Sequence, residues 1–288
     1  VPDRLAAILE ACRDGALPPN IALMRLLIEA RSREEAEAAI AGARASADSR
    51  LNALADLFAA NPQSWATIRS VMAEAEHNGR PDDGVAHWSA VFDRLAHLAP
   101  EAGVALYALG SPDLLADATA EVVARMREWR LLGRDRSLLE LGCGPGRLSL
   151  ALAPEFDSVT GLDVSGEMIA EAHRRAAGIA NVRFARSSGR DLSDIPDSSF
   201  DVVLAADVFP YLVSSGAELA RVHIEEAARV LRPGGALLIL NYSYRGEPDE
   251  DRREVSALFE AAGFAIEREG TQDLTLWDAA AYLGRKIS

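Results

Sequence analysis

Lysine is almost missing from this chain of 288 residues: Lys286 is the only one, and every other basic residue is an arginine. That excludes a phosphate-loop lysine and a buried Schiff-base lysine, since Lys286 stands third from the end of the sequence. Positive charge is scarce as well, 30 basic against 44 acidic side chains for a formal charge of −14. This argues against a nonspecific nucleic-acid binder, which needs a basic face to displace counterions. The exception is a run of Arg125, Arg127, Arg130, Arg134 and Arg136, a local basic patch or, more simply, a solvated helix face and loop. Cysteine is limited to Cys12 and Cys143, too few for a disulfide scaffold, and no Cys/His cluster has zinc-site spacing; a reducing, cytoplasmic setting and no metal are expected. No apolar run approaches the roughly 18 residues of a membrane span, and the start VPDRLAAILEAC lacks a basic region followed by a long apolar one. There is no internal repeat of 20 to 50 residues.

What is present suffices for a globular protein. With 49% apolar and 26% charged residues the chain can fill a sizeable core, as one large domain or two smaller ones, and global disorder is excluded. From Asp3 to about Gly79 the pattern is helical, with breaks at Gly15 to Asn20, at the Ser32 cap with Glu35 three residues on, and at Asn61-Pro62. The Ala-rich stretch from Ser32 to Ala60 fits either one helix or a hairpin of two. The polar segment Asn78 to Gly84 is the expected linker. Helical periodicity resumes to Leu98 and from Asp113 to Leu132. Beyond it, short Val/Leu/Ile runs alternate with helical segments: Leu138 to Leu141, Val159 to Leu162, Val182 to Ala185, Val202 to Ala206, Ala236 to Leu240, Phe264 to Glu267 and Leu274 to Trp277. This alternation predicts a parallel sheet covered by helices on both faces. The last two runs are separated only by Arg268 to Asp273, too short for a crossover helix, and are expected to pair as an antiparallel hairpin.

The first strand runs into LLELGCGPGRLSLALA, with Gly142, Gly144 and Gly146 in a turn that opens a helix near Arg147. Glycines there permit positive φ and close approach of a ligand, and the helix N-terminus offers free N–H donors. The spacing is G-x-G-x-G rather than the G-x-G-x-x-G of dinucleotide sites, and Glu140 stands two residues before the first glycine, where it would repel a pyrophosphate. The second strand ends in GLDVS, which places Asp163 at its carboxyl end, 17 residues after Gly146. A carboxylate there can accept both ribose hydroxyls of a bound adenosine, or else cap the helix that follows.

ELGCGPG followed by GLDVS closely resembles the class I S-adenosylmethionine-dependent methyltransferases. The resemblance continues through RSSGRDL, DSSFDVVLAADVFPYL and EEAARVLRPGGALLILNYSY, about residues 135 to 245. It implies an α/β fold with a seven-stranded Rossmann-like sheet of order 3-2-1-4-5-7-6, strand 7 antiparallel, preceded by an N-terminal all-helical domain. The expected division is 1–82 for the helical domain and 83–288 for the cofactor-binding domain, with lid or cap helices over 83–132 and the Rossmann-like core over 133–288. The implied cofactor is S-adenosylmethionine, with S-adenosylhomocysteine as product. Glu140 and the turn of Gly142, Cys143, Gly144 and Gly146 would hold its methionine moiety, and Asp163 its ribose. Val164 and Met168 would pack on the adenine, Met168 having ordinary helix core as the alternative. Many relatives place a Gly-Asp pair in the third-strand motif; here Ser187, Ser188, Gly189 and Arg190 stand there, so a serine hydroxyl or backbone must serve the adenine. Tyr107 occupies a segment that often closes an aromatic over the cofactor, a core tyrosine being the alternative.

On the acceptor side, Asp207 ends the fourth strand and also stands near the cofactor methyl in the resemblance. Phe209-Pro210-Tyr211 follows; Val208 and Phe209 break the (Asn/Asp)-Pro-Pro-Tyr signature of amino-methylating relatives, so nitrogen specificity is not inferred. Because a sulfonium methyl is already activated, the protein must mainly align the acceptor in line and exclude water. A base, where needed, would come from Asp207, Tyr211, Tyr242 or Tyr244. His173 and His223 read as surface or packing residues, His77 and His87 lie in helical segments, and His97 is the outsider if the cap folds over the site. Phe209, Tyr211, Tyr242, Tyr244 and Trp277 point to a small, partly apolar or aromatic acceptor, with nucleic acid and membrane disfavoured as partners. The helical domain is a lid, a docking surface or a homodimer contact. The competing reading is a catalytically silent S-adenosylmethionine-binding interaction module, which side chains plugging the space above strand 4 would mark. A nucleotide-dependent dehydrogenase is disfavoured by the glycine spacing and Glu140.

Overall fold

A computed structural model describes residues 4–74 and 83–287. In chain order its helices are α1 (Arg4–Arg13), α2 (Pro19–Glu29), α3 (Arg33–Ala45), α4 (Ser49–Ala60), α5 (Ser64–Glu74), α6 (Gly84–Leu98), α7 (Pro100–Val104), α8 (Pro112–Glu128), α9 (Arg147–Leu152), α10 (Gly166–Arg175), α11 (Phe209–Ser215), α12 (Ala217–Val230) and α13 (Pro248–Ala261). The strands are β1 (Gly133–Leu141), β2 (Phe156–Asp163), β3 (Val182–Arg186), β4 (Phe200–Ala206), β5 (Leu231–Leu240), β6 (Phe264–Thr271) and β7 (Ala281–Lys286). Among the described residues no helix is long and apolar enough to cross a membrane.

The chain divides into two compact units. The first is Val1–His77 with Leu98–Glu121 and Leu274–Asp278; the second is Asn78–His97 with Val122–Asp273 and Ala279–Ser288. This differs from a single cut at residue 82, because the segment 98–121 and a short piece between β6 and β7 join the helical unit. Most of the expected linker, residues 78–82, lies outside the described residues, as does His77.

In the helical unit, Ser32 to Ala60 is a hairpin of two helices. The Ser32 hydroxyl accepts from Glu35 N at 3.2 Å, and Asp48 caps α4 by accepting from Arg50 N and Leu51 N at 2.9 and 3.0 Å. Each cap satisfies donors that the first helical turn leaves free. The Glu35 carboxylate does not return to the Ser32 amide but accepts from Arg31 N at 2.6 Å. The core gathers Leu23, Leu26, Leu27, Leu54, Ile68 and Leu109, all fully buried. Full burial of such side chains stabilises by about 1.5–3 kcal/mol each before entropy is subtracted.

The sheet of the second unit has the order β3-β2-β1-β4-β5-β7-β6, as the motifs imply. β1 is central and parallel to both β2 and β4, with Leu138 opposite Val159 on one side and Val202 on the other. β7 runs antiparallel between β5 and β6. The expected terminal hairpin is present, but its second strand is Ala281–Lys286 rather than Leu274–Trp277. The reason is packing: Leu274 and Trp277 are buried, Trp277 stacks on Tyr107 at 5.2 Å, and the segment belongs to the helical unit. Their apolar character serves a different core. The parallel strands end together, bringing Glu140, Asp163, Asp207 and Asn241 to one edge of the sheet.

Candidate active site

The turn after β1 is built on left-handed backbone. Gly142 and Gly146 have φ of +63° and +81°. A Cβ at Gly142 would meet Val208 Cγ2 at 2.7 Å, and one at Gly146 would meet Phe184 Cζ at 2.6 Å. Only glycine satisfies both the dihedral and the space. Gly146 is the N-cap of α9, so the turn delivers that helix's free N–H groups to the carboxyl edge.

Two carboxylates flank this turn, both nearly inaccessible. Glu140, 2% exposed, accepts a hydrogen bond from the Ser149 hydroxyl. Burial pushes its carboxyl up to about 7, against the opposing effects of Ser149 and Arg147. Asp163, 8% exposed, accepts from Gly144 N and from Ser165 N, each at 2.8 Å. Burial raises its pKa too, partly offset by those two amides. One acid thus ties the glycine turn to the end of β2. Cys143, buried between them, has its thiol pushed well up by burial and then by the Asp163 and Glu140 charges, and is not a nucleophile.

Beside Asp163, a cavity of about 450 Å³ is lined by Val85, Ser89, Asp93, Val164, Ser188 and Arg190, among others. The Ser188 hydroxyl accepts from Arg190 N at 3.2 Å and the Ser187 hydroxyl from Gly189 N at 3.1 Å, so both serines shape the third-strand loop. Arg190 is paired with Asp83 at 2.5 Å on the rim. Met168 is fully buried in α10 and presents no surface to a ligand, so its role is core packing.

At the end of β4, Asp207 adopts φ +58°, and Asn241, at the end of β5, φ +71°. Asn241 Nδ2 donates to Asp207 Oδ1 at 2.9 Å. The Tyr244 hydroxyl is hydrogen-bonded to both Asp207 and Tyr211, although its side chain is 53% exposed. Tyr211 lies edge-on to Tyr244 at 5.9 Å, to Trp88 at 4.7 Å and to Phe92 at 5.1 Å. Burial, and then the Asp207 charge, push the Tyr211 phenol well up. The structure therefore brings Asp207, Tyr211 and Tyr244 together in one hydrogen-bonded group. It joins this group to the glycine turn through the Val208 contact with Gly142.

Other candidates fall elsewhere. Tyr242 is buried between the sheet and α13, stacked on Phe209 at 5.8 Å and donating to Glu254 at 2.8 Å, so it is core rather than a base. Tyr107 and Trp277 belong to the helical unit's interior. His223 is buried with Nδ1 on Leu219 O at 2.8 Å, and His97, exposed, lies 3.4 Å from Glu167. The arginine run is a solvated face: Arg125 pairs with Glu128, and Arg127 with Glu155, both at 2.6 Å. Sequence reading missed Trp88, Ser89, Phe92 and Asp93. Their signal was the juxtaposition of aromatic and polar residues at four-residue intervals in α6, which reads equally well as ordinary amphipathic helix.

Comparison with known proteins bears on the fold and the family. A family model described as a methyltransferase domain matches residues 138–235. A phosphatidylethanolamine N-methyltransferase of Cereibacter sphaeroides is 38% identical over 143 residues, covering 47% of this chain and 68% of that protein. A 2-methyl-6-phytyl-1,4-hydroquinone methyltransferase of Synechocystis is 30% identical over 112 residues, 38% of this chain and 33% of that protein. The chain thus spans only a third of the second relative's length. The structure of Haemonchus contortus phosphoethanolamine N-methyltransferase 1, in complex with phosphoethanolamine and S-adenosylhomocysteine, superposes with a TM-score of 0.57 at 14% identity, covering 71% of this chain and 49% of that one. That likeness is one of fold. With the sheet order, the glycine turn and the acid that ends β2, these findings show that the chain belongs to the class I S-adenosylmethionine-dependent methyltransferases.

Proposed function

We propose that this chain methylates a small, partly apolar or aromatic acceptor held at the carboxyl ends of β4 and β5. The observation that carries this reading is the Asp207, Tyr211 and Tyr244 group, walled by Trp88 and Phe92 and joined to the cofactor turn through Val208. The names of the two sequence relatives give phosphatidylethanolamine and a phytyl hydroquinone as acceptors. Each joins a polar head to an apolar chain, which suits an aromatic wall beside a carboxylate.

The residues present fit the cofactor of the family. The left-handed turn of Gly142 and Gly146 presents the N-terminus of α9 at the carboxyl edge, and Glu140 is a buried carboxyl that a cation would stabilise in its ionised form. S-adenosylmethionine, when bound, supplies a methyl group already activated on a sulfonium. Glu140 and the turn of Gly142, Cys143, Gly144 and Gly146 would hold its methionine moiety, Asp163 its ribose hydroxyls, and Val164 with Ser188, Gly189 and Arg190 its adenine. On the acceptor, Asp207 would take a proton directly or through Tyr244, and Tyr211 would orient the accepting atom.

The second reading, a silent cofactor-binding module, draws on one observation: Trp88 and Phe92 pack their edges on Tyr211, filling space beside the end of β4. Turnover separates the two. Incubation with S-adenosylmethionine and a panel of amines, phenols and hydroquinones, read by S-adenosylhomocysteine release, should give a signal that Asp207→Asn lowers at least tenfold. Binding of S-adenosylhomocysteine with no turnover on any acceptor would favour the module.

A further inference from the structure

Helix α6 carries two stripes of side chains at helical spacing. Val85, Ser89 and Asp93 recur every four residues, and Trp88 and Phe92 form a second row beside them. The first row faces the turn that ends β2: the Ser89 hydroxyl donates to Val164 O at 3.0 Å, and Asp93 Oδ1 accepts from the Ser165 hydroxyl at 2.6 Å and from Glu167 N at 3.2 Å. Ser165 is the hinge of this arrangement. Its hydroxyl also accepts from Met168 N at 3.0 Å to cap α10, and its N–H donates to Asp163. Contacts therefore run from Asp93 through Ser165 to Asp163 and on to the Gly144 amide. The second row supplies the rings that meet Tyr211.

Ser165 alone suffices to cap α10. Asp93 comes from a different element and brings a second carboxylate toward Asp163, whose pKa burial raises and the Asp93 charge raises further against the two amides. Because both rows ride on one rigid helix, the position of the polar row fixes that of the aromatic row.

We propose that Asp93 is a positioning residue: by holding the Ser165 hydroxyl and the Glu167 amide it sets the Asp163 to Ser165 turn, and it makes α6 the strap through which cofactor occupancy orders the Trp88 and Phe92 wall beside Tyr211. The inference rests on the reading of Asp163 as the ribose acid.

S-adenosylhomocysteine titrated calorimetrically into the full chain, with hydrogen exchange followed over residues 84–97, 166–175 and 209–215, tests it. Asp93→Ala should weaken binding about tenfold, the scale of a lost charge-assisted hydrogen bond. Asp93→Asn should stay within about threefold of wild type, since an amide oxygen still accepts both bonds, and Ser89→Ala should lose about two- to threefold. In the wild type the ligand should slow exchange in α6 and α11 together. In Asp93→Ala at saturating ligand the slowing of α11 should be lost while that of α10 persists. Should Asp93→Ala fail to fold, Ser89→Ala and Asp93→Asn carry the same test through their affinities and the α11 exchange. Wild-type affinity in Asp93→Ala, or an Asp93→Asn as weak as Asp93→Ala, would overturn the positioning role while leaving the cofactor site intact. Absence of binding by the folded wild type at millimolar ligand would instead remove the cofactor reading itself.

Discussion

The helical unit and the sheet unit handle buried polarity in different ways. Among the described residues, the buried polar side chains of the first unit are neutral: Asn20, Asn61 and Ser64. Asn20 Nδ2 donates to Tyr107 O at 3.2 Å and Leu276 O at 2.7 Å, tying backbone to backbone. The second unit buries the carboxylates Glu140, Asp163 and Asp251. Asp251 is bridged by Ser243 and Arg245 and serves the packing of α13. Glu140 and Asp163 have pKa values raised by burial, and they flank a turn of left-handed glycines. The first unit buries neutral polar groups within its packing, whereas the second buries ionisable groups beside the turn proposed to hold the cofactor.

Exchanging the two kinds of damage should expose this contrast. Leu54→Ala, in the centre of the helical unit, should cost about 3 kcal/mol of stability by creating a cavity. Thermal unfolding should show the loss, while S-adenosylhomocysteine affinity of the folded fraction stays within about twofold; a large affinity loss would break the division of labour. Asp163→Ala should do the reverse, weakening that affinity by about 1–3 kcal/mol in a calorimetric titration.

Glu140 sharpens the comparison through pH. Its folded value of about 7 lies above the ordinary 4.5, so the folded state holds the extra proton between these limits. Ligand-free stability should therefore fall as pH rises from about 4.5 to 7, and Glu140→Gln should remove that slope in denaturant titrations. The ammonium of S-adenosylhomocysteine favours the ionised form, so its affinity should rise up to about tenfold between pH 6 and 8 and become flat in the variant. A flat wild-type profile would mean that no cation approaches Glu140. The smallest effect belongs to the helical unit again: Ser32→Ala should lower stability by about 1 kcal/mol, read by the midpoint of urea unfolding, with no change in ligand affinity.

The parallel strands, the glycine turn and the acids at the ends of β1 and β2 were legible in the sequence because each is local: a short apolar run, then residues that only a tight turn accepts; the sheet order came from the resemblance of these motifs to a known family. The last strand was misplaced because LTLW and AYLGRK are both short apolar runs, and which of them joins the sheet depends on where Trp277 finds its partner. Trp88, Phe92 and Asp93 were not legible because helical periodicity marks a buried face without saying what covers it. Met168 and Tyr242 failed in the opposite sense: their chemistry suited a site, but the interior claimed them.

The short segment Leu274–Asp278 has a temporal meaning. Leu276 O receives Asn20, and Trp277 stacks on Tyr107, so a unit whose helices α1 to α5 are made before the sheet is finished only by a segment made after β6. Helices α1 to α5 can gather early, yet their unit stays open until β6 has been synthesised. A nascent chain halted before residue 274 should thus expose apolar surface of the helical unit to chaperones, even though most of its own helices are already complete.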